Sequence, residues 1–156
     1  MVTVSEIWAD ADRGILARQI DEWLATYKEN NSLCLAVGCD PDDDMHWFVR
    51  MQGEEKEFTT VWLTLGQRTL QYETYVMPAP EENAAEVYEQ ALRRSNKMVG
   101  AAFSIGVEDA LFLRGELLLS GVNEPELDRV LGTLYATVER HFPVLIRIGF
   151  ASRFDA

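Results

Sequence analysis

Basic residues are scarce in this chain. Fourteen lysines and arginines stand against 26 aspartates and glutamates, a net charge of −12 at pH 7. Proteins that grip phosphate backbones need a basic face, so DNA and RNA are poor partners and none is expected. Solubility is the simple reading of the acidic excess. Attraction for basic or amphipathic protein segments is the sharper one. Cysteine is nearly absent as well: Cys34 and Cys39, in SLCLAVGCD, have four residues between them. A disulfide is open, but the intracellular expectation is two thiols packed as small hydrophobes. Without C-x-x-C spacing or a second pair they do not make a zinc site.

Long apolar runs are missing too. No basic region followed by an apolar stretch opens the chain, so no signal peptide is expected. No run approaches the roughly 20 apolar residues that span a bilayer, and the chain reads as cytoplasmic with no membrane partner. His46 and His141 are the only histidines, and neither is accompanied by a G-x-S-x-G elbow. Phosphate-cradling G-x-x-x-x-G-K-[ST] and G-x-G-x-x-G turns are absent, which removes the sequence basis for nucleotide binding. The acidic DPDDD places Asp40, Asp42 and Asp44 at the first, third and fifth positions of a calcium loop. That loop needs a glycine and a glutamate where Met45 and Met51 stand, so DPDDD reads as a solvated turn. No cofactor, no metal and no catalysis are expected.

What is present is a pattern of strands and amphipathic helices in a single domain over residues 1–156. Leu16, Ile20, Trp23, Leu24 and Tyr27 repeat at helical spacing. They predict an N-terminal helix over about 4–29, starting near Val4 and bent or broken near Gly14. NNSLCLAVGC allows a short strand. Three strands then follow at 45–51, 58–65 and 69–77, joined by short polar connectors that favour antiparallel neighbours. Pro78 and Pro80 end the third strand. Pro80, Glu81 and Glu82 suit the first turn of a second helix, whose buried face is Ala84, Val87, Tyr88, Ala91 and Leu92. Arg93, Arg94 and Lys97 complement its negative end, and Gly100 provides a stop. Two strands, AAFSIG and ALFLRGELLL, flank the turn VED. Asn123 then caps a last helix whose apolar stripe runs from Leu127 to Phe142, with His141 near its end and Pro143 closing it. The class is α+β in the order α-βββ-α-ββ-α, one antiparallel sheet packed against helices.

These segments also carry a family likeness. GEEK at 53–56, VWLTL at 61–65, RTL with YETYVMPAPEEN, YEQALRRSN at 88–96, FSIGVEDALFL at 103–113, ELDRVLGTLY at 126–135 and IGFAS at 148–152 recur in order. The chain resembles the YbjN family, especially its actinobacterial branch, over roughly residues 44–152. RRSN stands where that branch commonly has RRN, one polar residue longer at a helix end. The resemblance implies a fold similar to the small acidic chaperones of type III secretion. Those chaperones are usually dimers that bind extended client segments, and the family carries the label of sensory transduction regulator.

Together these readings predict a non-enzymatic module that binds a protein or peptide segment, with a homodimer allowed. Trp47, Trp62, Tyr72 and Tyr75 lie on strands, and Trp and Tyr are enriched at interfaces, so these four are the candidate partner or dimer surface. The Pro78–Asn83 corner reads as a strand stop and helix start, with Glu82 and Asn83 bonding nearby backbone; a groove rim is its other reading. Two rivals stand beside the binding module. One is an enzyme using a carboxylate site drawn from Glu73, Glu82, Glu108 and Asp109. The other is a regulator docking on a folded signalling partner.

Overall fold

The computed structural model describes residues 7–154. Three helices, α1 (Asp10–Asn30), α2 (Ala84–Ser95) and α3 (Glu124–Gly149), pack against one six-stranded sheet. Its strands are β1 (Cys34–Asp40), β2 (Asp43–Gln52), β3 (Phe58–Leu65), β4 (Thr69–Met77), β5 (Ala102–Ile105) and β6 (Leu111–Leu118), in the order β1-β2-β3-β4-β6-β5. Every pairing is antiparallel. The expected α+β order stands, and the short strand before the acidic turn is a full edge strand of seven residues. One core lies between sheet and helices. Val49, Val61, Leu63, Leu70 and Leu113 fill it from the strands, and Ile20, Leu24, Val87, Leu131 and Val138 from the helices.

Helix boundaries depart from expectation in three places. α1 begins at Asp10 and runs unbroken through Gly14; Val4 lies outside the described residues. A glycine inside a helix costs about 1 kcal/mol against alanine. The neighbouring Arg13 offsets this by donating to the Gly66 and Leu65 carbonyls, each at 2.9 Å. α2 starts at Ala84 instead of Pro80, behind Asn83 in the left-handed region at φ 54°. α3 continues past Pro143 to Gly149. An interior proline removes one helical hydrogen bond, but the turn beyond it buries Leu145 completely. Gly149 packs there against Met77, Pro80 and Val87.

The C-terminal end of α3 explains the delayed start of α2. The Gly149 carbonyl accepts from the backbone N–H groups of Glu81 and Glu82 at 3.0 and 3.1 Å. Asn83 Nδ2 donates to the Ile148 carbonyl, and Glu82 takes both the N–H and the hydroxyl of Ser152. Glu81 pairs with Arg153. PAPEEN and IGFAS, far apart in sequence, therefore form a single latch. The carboxylates expected to favour a helix dipole instead hold the chain's end. GEEK is a second docking point: Glu139 of α3 accepts the backbone N–H groups of Glu54 and Glu55.

His141 sits inside α3 and not at its end. Its Nδ1 lies 2.8 Å from Arg94 Nη1. Arginine can only donate, so Nδ1 accepts and the imidazole is neutral, with its proton on Nε2. Burial, then Arg94 and Arg140, hold its pKa below the ordinary value. An unfolded imidazole takes up a proton below about pH 6.5, while the folded one resists until lower pH. Stability attributable to this group is thus complete above the unfolded pKa. It declines as pH falls towards the folded pKa. Urea midpoints measured from about pH 7 down to pH 5 should fall with a gentler slope in His141→Gln than in the parent. Equal slopes would remove the linkage.

Candidate functional site

All three described helices lie on one side of the sheet, and among the described residues the other side is open. Alternation along each strand decides which side chains reach it. In β2, Trp47, Val49 and Met51 are buried, so His46, Phe48 and Arg50 face outward. In β3 the outward set is Phe58, Thr60, Trp62 and Thr64. In β4 it is Gln71, Glu73 and Tyr75.

The register joins these into a row across the whole sheet. Gly38, Phe48, Trp62, Glu73, Arg114 and Ala102 are successive cross-strand neighbours. Aromatic rings occupy its β1–β3 half. His46 stacks on Trp62 with centroids 5.1 Å apart and planes 7° from parallel. Phe48 meets the same indole at 5.8 Å. Gly38 makes room for this cluster, since a Cβ there would lie 2.6 Å from the Phe48 ring.

Tyr75 anchors a second group, on the diagonal from Trp62. Its ring meets Phe112 edge-on at 5.7 Å, and Lys56 Nζ lies 5.5 Å above it. Burial lowers the Lys56 pKa, and the Glu139 carboxylate opposes that effect. Arg50 covers Phe58 at 4.1 Å. Beside these rings runs a cleft of about 400 Å³ lined by Trp62, Thr64, Gln71, Glu73, Arg114 and Glu116. Glu73 and Arg114 pair within it at 2.8 Å. The face is thus aromatic with paired charges, suited to packing on an apolar or amphipathic surface.

The four aromatic candidates divide evenly. Trp62 and Tyr75 lie on the open face, 39% and 41% exposed. Trp47 and Tyr72 are corrected to core residues at 1% and 2%. Strand parity is the reason: Trp47 points to the helices, where its indole N–H donates to Asp21 at 2.6 Å. The Tyr72 hydroxyl donates inward to the Gly100 carbonyl. Sequence reading missed His46, Phe48, Phe58 and Phe112. The signal for the first two was available, because Trp47, Val49 and Met51 form one parity class and His46, Phe48 and Arg50 the other.

The other candidates are structural. In the acidic turn, Asp40 and Asp43 accept backbone N–H groups of Asp42 and Met45, each at 2.9 Å. Among the described residues no cluster of three or more His, Cys, Asp or Glu is arranged to hold a metal. Cys34 and Cys39 are both free, one buried and one exposed. Five residues of extended strand hold them about 16 Å apart, beyond the reach of a disulfide. Of Glu73, Glu82, Glu108 and Asp109, the sheet-face cleft takes in Glu73 alone. No described helix is long and apolar enough to cross a membrane.

Comparison with known proteins bears on family and fold. Residues 31–147, from the turn before β1 to the last turns of α3, match the YbjN family model, described as "Putative bacterial sensory transduction regulator". An uncharacterized protein of Mycobacterium tuberculosis (strain H37Rv) is 34% identical over 104 residues, covering 67% of this chain and 57% of that protein. One from Mycobacterium leprae is 30% identical over 112 residues, covering 72% of this chain and 61% of the relative. These matches therefore span less than two thirds of the relatives' length. Among solved structures, a chain of the heterodimeric complex ExoU-SpcU from the type III secretion system of Pseudomonas aeruginosa superposes with a TM-score of 0.55. The identity is 17%, with 80% of this chain and 95% of that chain covered, so the likeness is one of fold. With the family match running through every described strand and most of α3, this chain belongs to the YbjN family.

Proposed function

We propose that the protein is a non-enzymatic binding module, acting in the cytoplasm, that takes a basic or amphipathic protein segment on its open sheet face. The observation that carries this is the exposed aromatic pair Trp62 and Tyr75 on a face that no described helix covers. A face is favoured over strand addition at an edge. β1 is bulged at both ends and β5 has only four residues, both of which blunt edge pairing. The net charge of −12 steers basic segments towards the protein, while the rings supply the contact area. The family's regulator label and the neighbour's heterodimeric complex support a protein partner. A second copy of the chain is the other occupant this face accommodates.

The test is a Trp62→Ala/Tyr75→Ala variant, with partner capture from native cytoplasm and light scattering for self-association. Loss of two interface aromatics should weaken capture at least about tenfold, with helical circular dichroism unchanged. Capture and oligomeric state both unaltered would place the binding surface elsewhere. A dimer dissociated by the variant would name the chain itself as the occupant.

A further inference from the structure

A second concavity differs from the rest of this acidic protein. The end of α2, the loop after it and one stripe of α3 enclose a cleft of about 900 Å³. Its charged lining is Arg93, Arg94, Lys97, Arg129 and Arg140, and no carboxylate lines it. Five of the chain's 14 basic side chains are thus gathered where a net charge of −12 would scatter them. The C-terminal dipole of α2 accounts for Arg93, Arg94 and Lys97. It does not account for Arg129 and Arg140, which come from the interior of α3.

The α3 wall has a periodicity of its own. Arg129, Thr133, Thr137 and Arg140 share one helical face, with cations at both ends of a stripe about 16 Å long. Arg129 is held by Glu126, and Arg93 by Glu89. Among the described residues Arg94, Lys97 and Arg140 form no ion pair. Arg94 donates through Nη1 to His141, which also lines the cleft, and its Nε is buried without a hydrogen-bond partner. Thr133 and Thr137 add hydroxyls, and Met98 and Val99 an apolar wall.

We propose that this cleft binds a small molecule carrying two or more phosphate groups, independently of the sheet face. Planar guanidinium groups match phosphate oxygens in bidentate geometry. The volume lies within the range of small-molecule sites, and the spread of cations along α3 suits separated anionic groups more than one compact ion.

Tripolyphosphate is the probe, titrated calorimetrically at low ionic strength against pyrophosphate and inorganic phosphate. Saturable 1:1 binding should strengthen with phosphate number. Lys97→Gln/Arg140→Gln, both at exposed positions that leave the fold intact, should weaken it at least about tenfold by removing two charge-assisted contacts. Arg94→Gln should weaken it as well, and Arg18→Gln, on the outer surface of α1, should not. Trp62→Ala/Tyr75→Ala should bind the probe as the parent does, which separates this site from the sheet face. No saturable binding, or binding equal in the Lys97/Arg140 variant, overturns the assignment. Binding of a glutamate-rich peptide with none of tripolyphosphate overturns it too, and gives the cleft to an acidic protein segment.

Discussion

Trp47→Ala should lower the stability of this protein by about 3–5 kcal/mol, the usual cost of truncating a buried aromatic side chain. For a chain of this size that is a fall of about 6–20 °C in Tm. The indole is 1% exposed and packs between β2 and α1, with its N–H on Asp21. Its loss leaves a cavity in the layer that joins α1 to the sheet. Trp62→Ala should behave differently. That ring is 39% exposed and touches His46 and Phe48, so its removal costs about 1–3 kcal/mol of aromatic contact over the two pairs. The two variants should therefore separate stability from binding: Trp47→Ala melts earlier, and Trp62→Ala melts closer to the parent but loses partner. Calorimetry of both, with capture measured below either transition, checks it. Similar melting of the two would mean that the core and open faces of β2 and β3 had been misassigned.

The second large effect is expected at Gly115 of β6. This glycine pairs with Tyr72 across the ladder. A Cβ there would press on the Gly100 carbonyl and, at 2.5 Å, on the Tyr72 ring. The Tyr72 hydroxyl donates to that same carbonyl, so ring, loop and strand share one contact. Burial raises the tyrosine pKa, which keeps the hydroxyl protonated and donating. Gly115→Ala should cost about 1–3 kcal/mol through overpacking. Gly115→Val should accumulate little folded protein. Adding Tyr72→Leu to Gly115→Ala removes the ring clash but not the carbonyl one, so recovery should be partial. Full recovery would show that the ring alone sets the limit, and a neutral Gly115→Ala would show that the 96–101 loop gives way freely. Chemical denaturation of the three variants decides among these.

Much of the fold was legible because its signals are local. Phe58–Leu65 and Thr69–Met77 alternate cleanly between two environments, and the structure places β3 and β4 over those ranges. Asn123 caps α3 as its side chain implies, accepting from Glu126 N–H at 2.9 Å. Where expectation failed, a distant group had overruled a local preference. Pro80 does suit a helix start, yet the Gly149 carbonyl holds the Glu81 and Glu82 N–H groups in a bend, and α2 begins only at Ala84. Pro143 does interrupt helical hydrogen bonding, yet Leu145 has a fully buried site beyond it.

The candidate face divides in the same way. The amino-acid order alone determined the acidic character of the protein, the strands that carry its aromatic residues, and the family motifs. It also determined that Trp47 and Trp62 sit on neighbouring strands. Only the tertiary structure decided which of them is core, because a strand offers two equivalent faces until helices cover one. It likewise decided that Arg93, Arg94 and Lys97 meet Arg129 and Arg140 in one cleft. No local pattern brings those cations together. They converge because the apolar faces of α2 and α3 must both bury against the sheet, and packing the two helices side by side leaves their polar edges facing each other.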